Sequence, residues 1–305
     1  MFDTTDPRAA LGTAPTVTPR NHTDPTPAPR QLFVLTQLEP DEVTTAGSAT
    51  WIVRGANFVV AVTRAIPGDS FDVAETGGDE SVVVLADERG RWEIFSAGTS
   101  VAIDRPAVVT VPEGAFRVTA RSACEFVRIF SAGATDLLAA ARNHAAYASP
   151  RPEVAPPPPT DRAGAARGLR VHPIDDIRPT PGRFGRIFRS DALMVNLLDV
   201  EQAPRDPNRL SPHVHDDFEQ CSVTFEGDYV HHLRTPWTPR LPDWREDEHV
   251  LVTSPSVTII PPRVVHTTQS IGPGRHSMMD IFAPPRADFL AMDGWVLNAE
   301  DYQAG

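Results

Sequence analysis

From Leu32 to Phe130 the chain is a series of short runs rich in Val, Ile, Phe and Thr, among them WIVRGANFVVAVT, SVVVLAD, RWEIFSAG, AVVTVPEG and EFVRIFS, separated by Gly, Pro and Asp turns. Short β-prone runs at this spacing indicate an antiparallel sandwich or barrel. The segment ATDLLAAARNHAAYA (134–148) has helical spacing, and the four prolines at 156–159 behind it make a stiff connector. A second set of strand-like runs follows: GRIFRS, ALMVNLLDV, EQCSVTFEG, DYVHHL, SVTIIPP and HSMMDIFA. The expected organisation is a flexible arm over 1–30, a first barrel over 31–148, a Pro-rich linker over 149–184, and a second barrel with its tail over 185–305.

The two halves read as copies of one unit. AVVTVPEGAFRVTA (107–120) lies over PSVTIIPPRVVHTT (255–268) when Pro112 is set against Pro261. DESVVVLADERG (79–90) can likewise be set against FEQCSVTFEGDY (218–229), and with these two segments aligned Glu80 falls on Glu219 and Arg117 on His266. Repeated all-β units too large to be propeller blades predict two tandem barrels. The length, 305 residues, is ample for two such domains.

Composition excludes whole classes of chemistry. All 28 residues counted as Lys+Arg are arginine, so Schiff-base, pyridoxal-phosphate and P-loop mechanisms lack their lysine. A net charge of −12 argues against nucleic acid as partner, and no apolar run is long enough to span a membrane. The two cysteines, Cys124 and Cys221, sit in separate apolar runs and read as buried free thiols, which fits a reducing compartment. The N-terminus carries no basic and apolar signal pattern, and a cytoplasmic protein is expected.

Seven of the ten histidines fall between 213 and 276, and residues 31–133 contain none. In SPHVHDDFEQCSVTFEG, His213, His215 and Glu219 share parity, and strand residues two apart face the same way. His266, behind a Pro-Pro pair, can complete the set. Three imidazoles and a carboxylate converging in a barrel suit one divalent transition metal: Fe, Mn, Ni, Co or Zn. His231 and His232 are adjacent, so alternation sends one inward, where it could serve in acid–base chemistry. Trp237 and Trp244 lie in a long loop that could form a lid. Arg234, Arg240 and Arg263 could each grip a substrate carboxylate.

These motifs resemble the cupin superfamily, and tandem bicupins in particular. The first cupin motif runs H-x-H, three or four residues, Glu, six residues, Gly; here His213, His215, three residues and Glu219 are followed by seven residues before Gly227. The second runs P-x-G-x-x-H-x-x-x-N, and PPRVVHTTQS keeps Pro261 and His266 with Arg263 for the Gly and Ser270 for the Asn. The first half keeps Pro112 and Gly114 but has Arg117 in place of the histidine. The resemblance implies an all-β fold of two jelly-roll barrels with short flanking helices. It also implies metal at His213, His215, Glu219 and His266, and a metal-free first barrel in which Arg117 could pair with Glu80.

A six-coordinate ion with four protein ligands keeps two positions for a chelating keto acid, hydroxy acid or sugar acid. Glu219 or the inward one of His231 and His232 would then move a proton, giving an isomerase or lyase. Arg234, Trp237 and Arg263 would hold the substrate. The same positions could instead hold substrate and dioxygen, as in quercetinase- or gentisate-type enzymes, or the barrel could bind a metabolite without catalysis. A homo-oligomer, most simply a dimer, is expected because cupins commonly cover their strand edges.

Overall fold

The computed structural model describes residues 27–302 apart from 158–167, 179, 181 and 184. Residues 1–26 of the expected arm and Pro158 and Pro159 of the connector lie outside the described residues. Two sheets make each half. In the first, seven strands run in the order Arg170–Pro173, Ala107–Val111, Ser81–Leu85, Cys124–Ser131, Phe58–Ala65, Ala49–Arg54 and Glu42–Val43. They face a four-stranded sheet ordered Ser70–Val73, Phe116–Ala120, Trp92–Ser96 and Thr99–Ile103. In the second half six strands run Gln31–Val34, Ser256–Ile260, Gln220–Glu226, Ser277–Phe282, Met194–Leu197 and Arg186–Arg189, facing Glu248–Thr253, Asp228–Arg234 and Val265–Ile271. The pairing is antiparallel in each sheet. The helix read over 134–148 is shorter than its spacing suggests: Thr135–Ala140 is α-helical and His144–Tyr147 is a 3₁₀ turn.

The halves exchange edge strands. Gln31–Val34, expected in the first barrel, pairs with Ser256–Ile260 of the second. Arg170–Pro173, expected in the linker, pairs with Ala107–Val111 of the first. Each exchanged strand covers an edge that would otherwise present unpaired N–H and C=O groups. Each barrel therefore receives one strand from the segment expected to belong elsewhere.

Alternation along the strands sorts side chains between two destinations. One face of each large sheet carries Trp51, Phe58, Val60, Val84 and Ile129 from the first half and Phe188, Val195, Cys221, Val223 and Ile281 from the second into one core between the barrels. The other face points into each barrel. The first barrel is filled by Val83, Leu85, Trp92, Ile94, Val109, Phe116, Phe126 and Phe130. The second places Asn196, Gln220, Ser222, Thr224, Thr258 and Asp280 at buried positions, and its apolar residues form small separate clusters. Both thiols are buried and free.

The register between the copies holds at Glu80 and Glu219 and slips by one at the histidine. Phe116 points into the first barrel, whereas Arg117 lies outside it and pairs with Asp72 at 2.6 Å. The expected Arg117–Glu80 pair therefore does not form. A guanidinium in an apolar barrel would need a buried partner, and on the outer face it keeps its hydration as well.

Candidate metal centre

His213 and His266 lie opposite each other and exchange backbone hydrogen bonds at 3.0 and 2.8 Å. His215 joins them from two residues along, and Arg263 N–H donates to its carbonyl at 2.6 Å. Arg263 adopts φ 66° where the first half has Gly114 at φ 103°. Its part is thus to shape the turn that sets His266 against the H-x-H segment, and it does not line the neighbouring cavity. One ring nitrogen from each of His213, His215 and His266 lies within 4.8 Å of the others.

The orientation of the rings is set from behind. Nδ1–H of His213 donates to the Ser211 carbonyl at 2.9 Å, and Nδ1–H of His266 donates to the Val264 carbonyl at 2.8 Å. A neutral imidazole with Nδ1 protonated presents a lone pair at Nε2, the state a metal ligand needs. Burial holds the pKa of His215 and of His266 well below the usual histidine value, with the neighbouring His213 adding to the effect. Both rings are therefore neutral at physiological pH.

The side chain beside the triad is Gln220, and Glu219 stands elsewhere. Gln220 Oε1 lies 2.9 Å from His215 Nε2 and 3.2 Å from His266 Nε2. Its amide nitrogen donates to Ser222 Oγ and to Asp280 Oδ1, each at 3.1 Å, and Ser222 donates to the same carboxylate oxygen at 2.6 Å. A carboxylate only accepts, so Asp280 turns the amide oxygen toward the histidines. Lone pairs of Oε1 and His266 Nε2 then face each other without a proton between them. Two donors about 2.1 Å from one ion and at right angles stand about 3.0 Å apart, so these separations fit a bound cation.

Glu219 points the opposite way, into the seam between the barrels. Its carboxylate accepts Ala56 N–H at 2.6 Å and Tyr147 O–H at 2.9 Å. The equal-parity argument fails because a bend over Asp216–Phe218 breaks the strand between His215 and Gln220 and shifts its phase by one. From there Gln220, Ser222 and Thr224 face inward, and Cys221 and Val223 face the other barrel. Glu80 makes the matching contacts in the first half: Tyr302 O–H at 2.8 Å, Asp191 N–H at 3.2 Å, and Arg170 at 2.6 Å. Asn143 clasps the backbone of Arg54, and Asn298 that of Arg189, with the same pair of bonds at 2.9 and 2.8 Å. The two glutamates are thus one duplicated clamp.

The remaining expected site residues scatter. His231 is the inward member of its pair: it is buried, Nδ1 contacts Thr268 Oγ1 at 2.9 Å, and Nε2 has no hydrogen-bond partner. Burial and nearby His266 push its pKa down to about 3. His232 faces outward, 2.7 Å from His249. Arg234 is exposed and forks onto Asp247 at 2.6–3.0 Å. Trp237 is 70% exposed and stacks on Trp244 with centroids 4.3 Å apart. None of these lines the cavity of about 230 Å³ beside His213, Gln220 and His266. Its walls instead bring in Asp280, Arg205, Arg286, Asp199 and His276. No sequence motif marks these five, although Asp280, on a strand alternating with Met278 and Phe282, is a polar residue at an inward position.

Comparison with known proteins follows the same lines. No family model matches the chain, and no curated protein does. Among solved structures, the oxalate decarboxylase of Lactobacillus farciminis aligns over 88% of this chain and 89% of its own, with a TM-score of 0.53 and 14% identity. An IolB-like protein of Salmonella typhimurium aligns over 80% and 92% (TM-score 0.52, 13% identity), and YlbA of Escherichia coli over 84% and 91% (TM-score 0.51, 11% identity). The chain has the cupin fold, in its tandem two-barrel form. The second barrel holds a histidine triad able to bind a metal ion. Among the described residues no helix is long and apolar enough to cross a membrane.

Proposed function

We propose that the protein is a metal-dependent enzyme that acts on a small keto, hydroxy or sugar acid and moves a proton on it, as an isomerase or lyase. The observation that carries this reading is the convergence of His213, His215, His266 and Gln220 Oε1 on one point at the wall of a 230 Å³ cavity. A divalent ion held there would supply Lewis acidity, polarising a chelated carbonyl and lowering the pKa of the adjacent C–H or O–H. The protein's own groups do the rest. Three imidazoles and an amide are all neutral donors, so they leave the full charge of an ion to an anionic substrate. Asp280 lines the cavity and is hydrogen-bonded to Gln220, and in this reading its carboxylate takes and returns the proton. Arg205 and Arg286, both in the cavity wall, supply charge for a substrate carboxylate.

The reading extends to a cytoplasmic homodimer; the two buried free thiols fit a reducing compartment, and sedimentation tests the dimer. The decisive experiment loads the purified protein with Mn, Fe, Co, Ni or Zn and follows a panel of keto, hydroxy and sugar acids with an oxygen electrode alongside. Substrate conversion without oxygen uptake is the expected result. Uptake would make it a dioxygenase instead, and binding without conversion a metabolite-binding protein.

A further inference from the structure

The cavity continues well past the histidine cluster. It runs along the strand Val265–Ile271, lined by His266, Thr267, Thr268 and Ser270, and ends against His276, whose Nε2–H donates to the Ile271 carbonyl at 2.7 Å. His266 and Ile271 lie at opposite ends of that strand, so the histidine cluster and His276 are two separate places in one cavity.

The far end is built around acceptors. With its proton on Nε2, His276 presents a lone pair at Nδ1; the side chain is 2% exposed and Nδ1 has no hydrogen-bond partner. Asp199 Oδ1 is likewise buried and without a hydrogen-bond partner, with the Arg186 charge nearby. The two residues are neighbours, because Leu198 N–H donates to the Met278 carbonyl at 3.1 Å and Glu201 and His276 exchange backbone bonds at 3.1 and 2.8 Å. His276 is held in place: Tyr229 meets its ring edge-on at 5.6 Å, and a Cβ at Gly227 (φ 91°) would stand 2.4 Å from its Cδ2. Only glycine leaves room for the imidazole. Two buried acceptors without donors are costly to leave so, and a ligand that brings donors relieves them.

We propose that this end of the cavity is a binding subsite for a hydrogen-bond donor group on the substrate, hydroxyl or ammonium, accepted by His276 Nδ1 and Asp199 Oδ1. Resting on the metal-dependent reading above, it assigns an elongated acid: one end at the histidine cluster, the other bearing donors at His276. Thr268 and Ser270 line the path between them. Bare aliphatic acids and two-carbon diacids lack the far group and are disfavoured.

The test is equilibrium binding of three acids of equal charge at the carboxylate end and similar length: gluconate (hydroxyls), 6-aminohexanoate (ammonium) and hexanoate (neither). Calorimetry is run on zinc-loaded wild type and on the His276→Leu and His276→Gln variants, with zinc content measured for each. One of the two donor-bearing acids should bind wild type at least about tenfold more tightly than hexanoate; which one does distinguishes hydroxyl from ammonium. His276→Leu should abolish that preference while hexanoate affinity and zinc content stay unchanged, and His276→Gln, which keeps an acceptor, should restore part of it. Equal binding of all three acids by wild type, no binding of any to zinc-loaded protein, or a preference that survives in His276→Leu overturns the subsite. Failure of wild type to retain zinc instead overturns the metal-dependent reading, and the three acids tested on metal-free protein then still decide whether the His276 end selects donors.

Discussion

Replacing Glu219 separates the two roles that a glutamate next to a histidine motif can play. As a ligand it would hold metal; as placed here it accepts Ala56 N–H and Tyr147 O–H across the seam between the barrels, with 4% of its surface exposed. Burial raises its pKa, and the hydrogen bonds from Ala56 and Tyr147 oppose that rise. Truncation to alanine strands both donors in the interior, at about 1–3 kcal/mol each, and loses bonds to a charged acceptor, while relieving the desolvation of that charge. The net expectation for Glu219→Ala is a loss of about 3–5 kcal/mol, a fall in Tm of about 6–10 °C in a chain of this size. Glu219→Gln keeps one acceptor, and Tyr147 already accepts a bond from Gln31 at 3.0 Å, so its hydroxyl can turn; about 1–2 kcal/mol is expected. Scanning calorimetry with metal analysis on the same samples reads both quantities. Glu80→Gln in the first barrel is the internal control: it too should lower stability, and neither variant should change metal content. Loss of metal in Glu219→Gln at unchanged Tm, with Glu80→Gln normal, would refute the clamp and return Glu219 to the ligand set.

The other expectations concern the second barrel. His266→Ala should lower metal affinity at least about tenfold, since it removes one of the three imidazoles, and Gln220→Leu should lower it by a smaller factor; chelator competition measures both. Metal-free protein should lose stability on acidification: His215 and His266 are held well below 6.5 and His231 is pushed down to about 3, so the unfolded chain takes up protons below 6.5 that the folded one does not. The stability is present above pH 6.5 and falls by about 1.4 kcal/mol per histidine, about 4 kcal/mol for the three, between pH 7.5 and 5.5; denaturant melts at the two pH values check it, and a flat profile contradicts the neutral, buried state. Arg234→Ala and Trp237→Ala, both on solvent-facing side chains, should leave metal content unchanged and stability within about 0.5 kcal/mol; a loss of metal in either would place the 235–247 loop at the centre after all.

How much of this was legible in the sequence depends on the range of the signal. Strand content and the two-barrel repeat are carried by local alternation and turn residues, and both appear in the fold, as does the pairing of Glu80 with Glu219. The exchanged strands Gln31–Val34 and Arg170–Pro173 were not legible, because four residues of alternating character say nothing about which distant edge they complete. The histidine triad was legible since the second cupin motif ties His266 to a turn at Pro261 even with Arg263 in the left-handed position. The side chain beside the triad is Gln220, where Glu219 was expected, and a different count of the motif reaches it. Setting four residues after His215 reaches Gln220, and six residues more reach Gly227, so the whole interval satisfies the motif without the extra residue that Glu219 requires. A carboxylate is the commoner ligand, and its identity outweighed the spacing; yet spacing is what a strand enforces, since one residue of slip turns every later side chain to the opposite face. The seven-residue interval is therefore the physical mark of the bend at Asp216–Phe218, which turns Glu219 to the seam and Gln220 to the barrel.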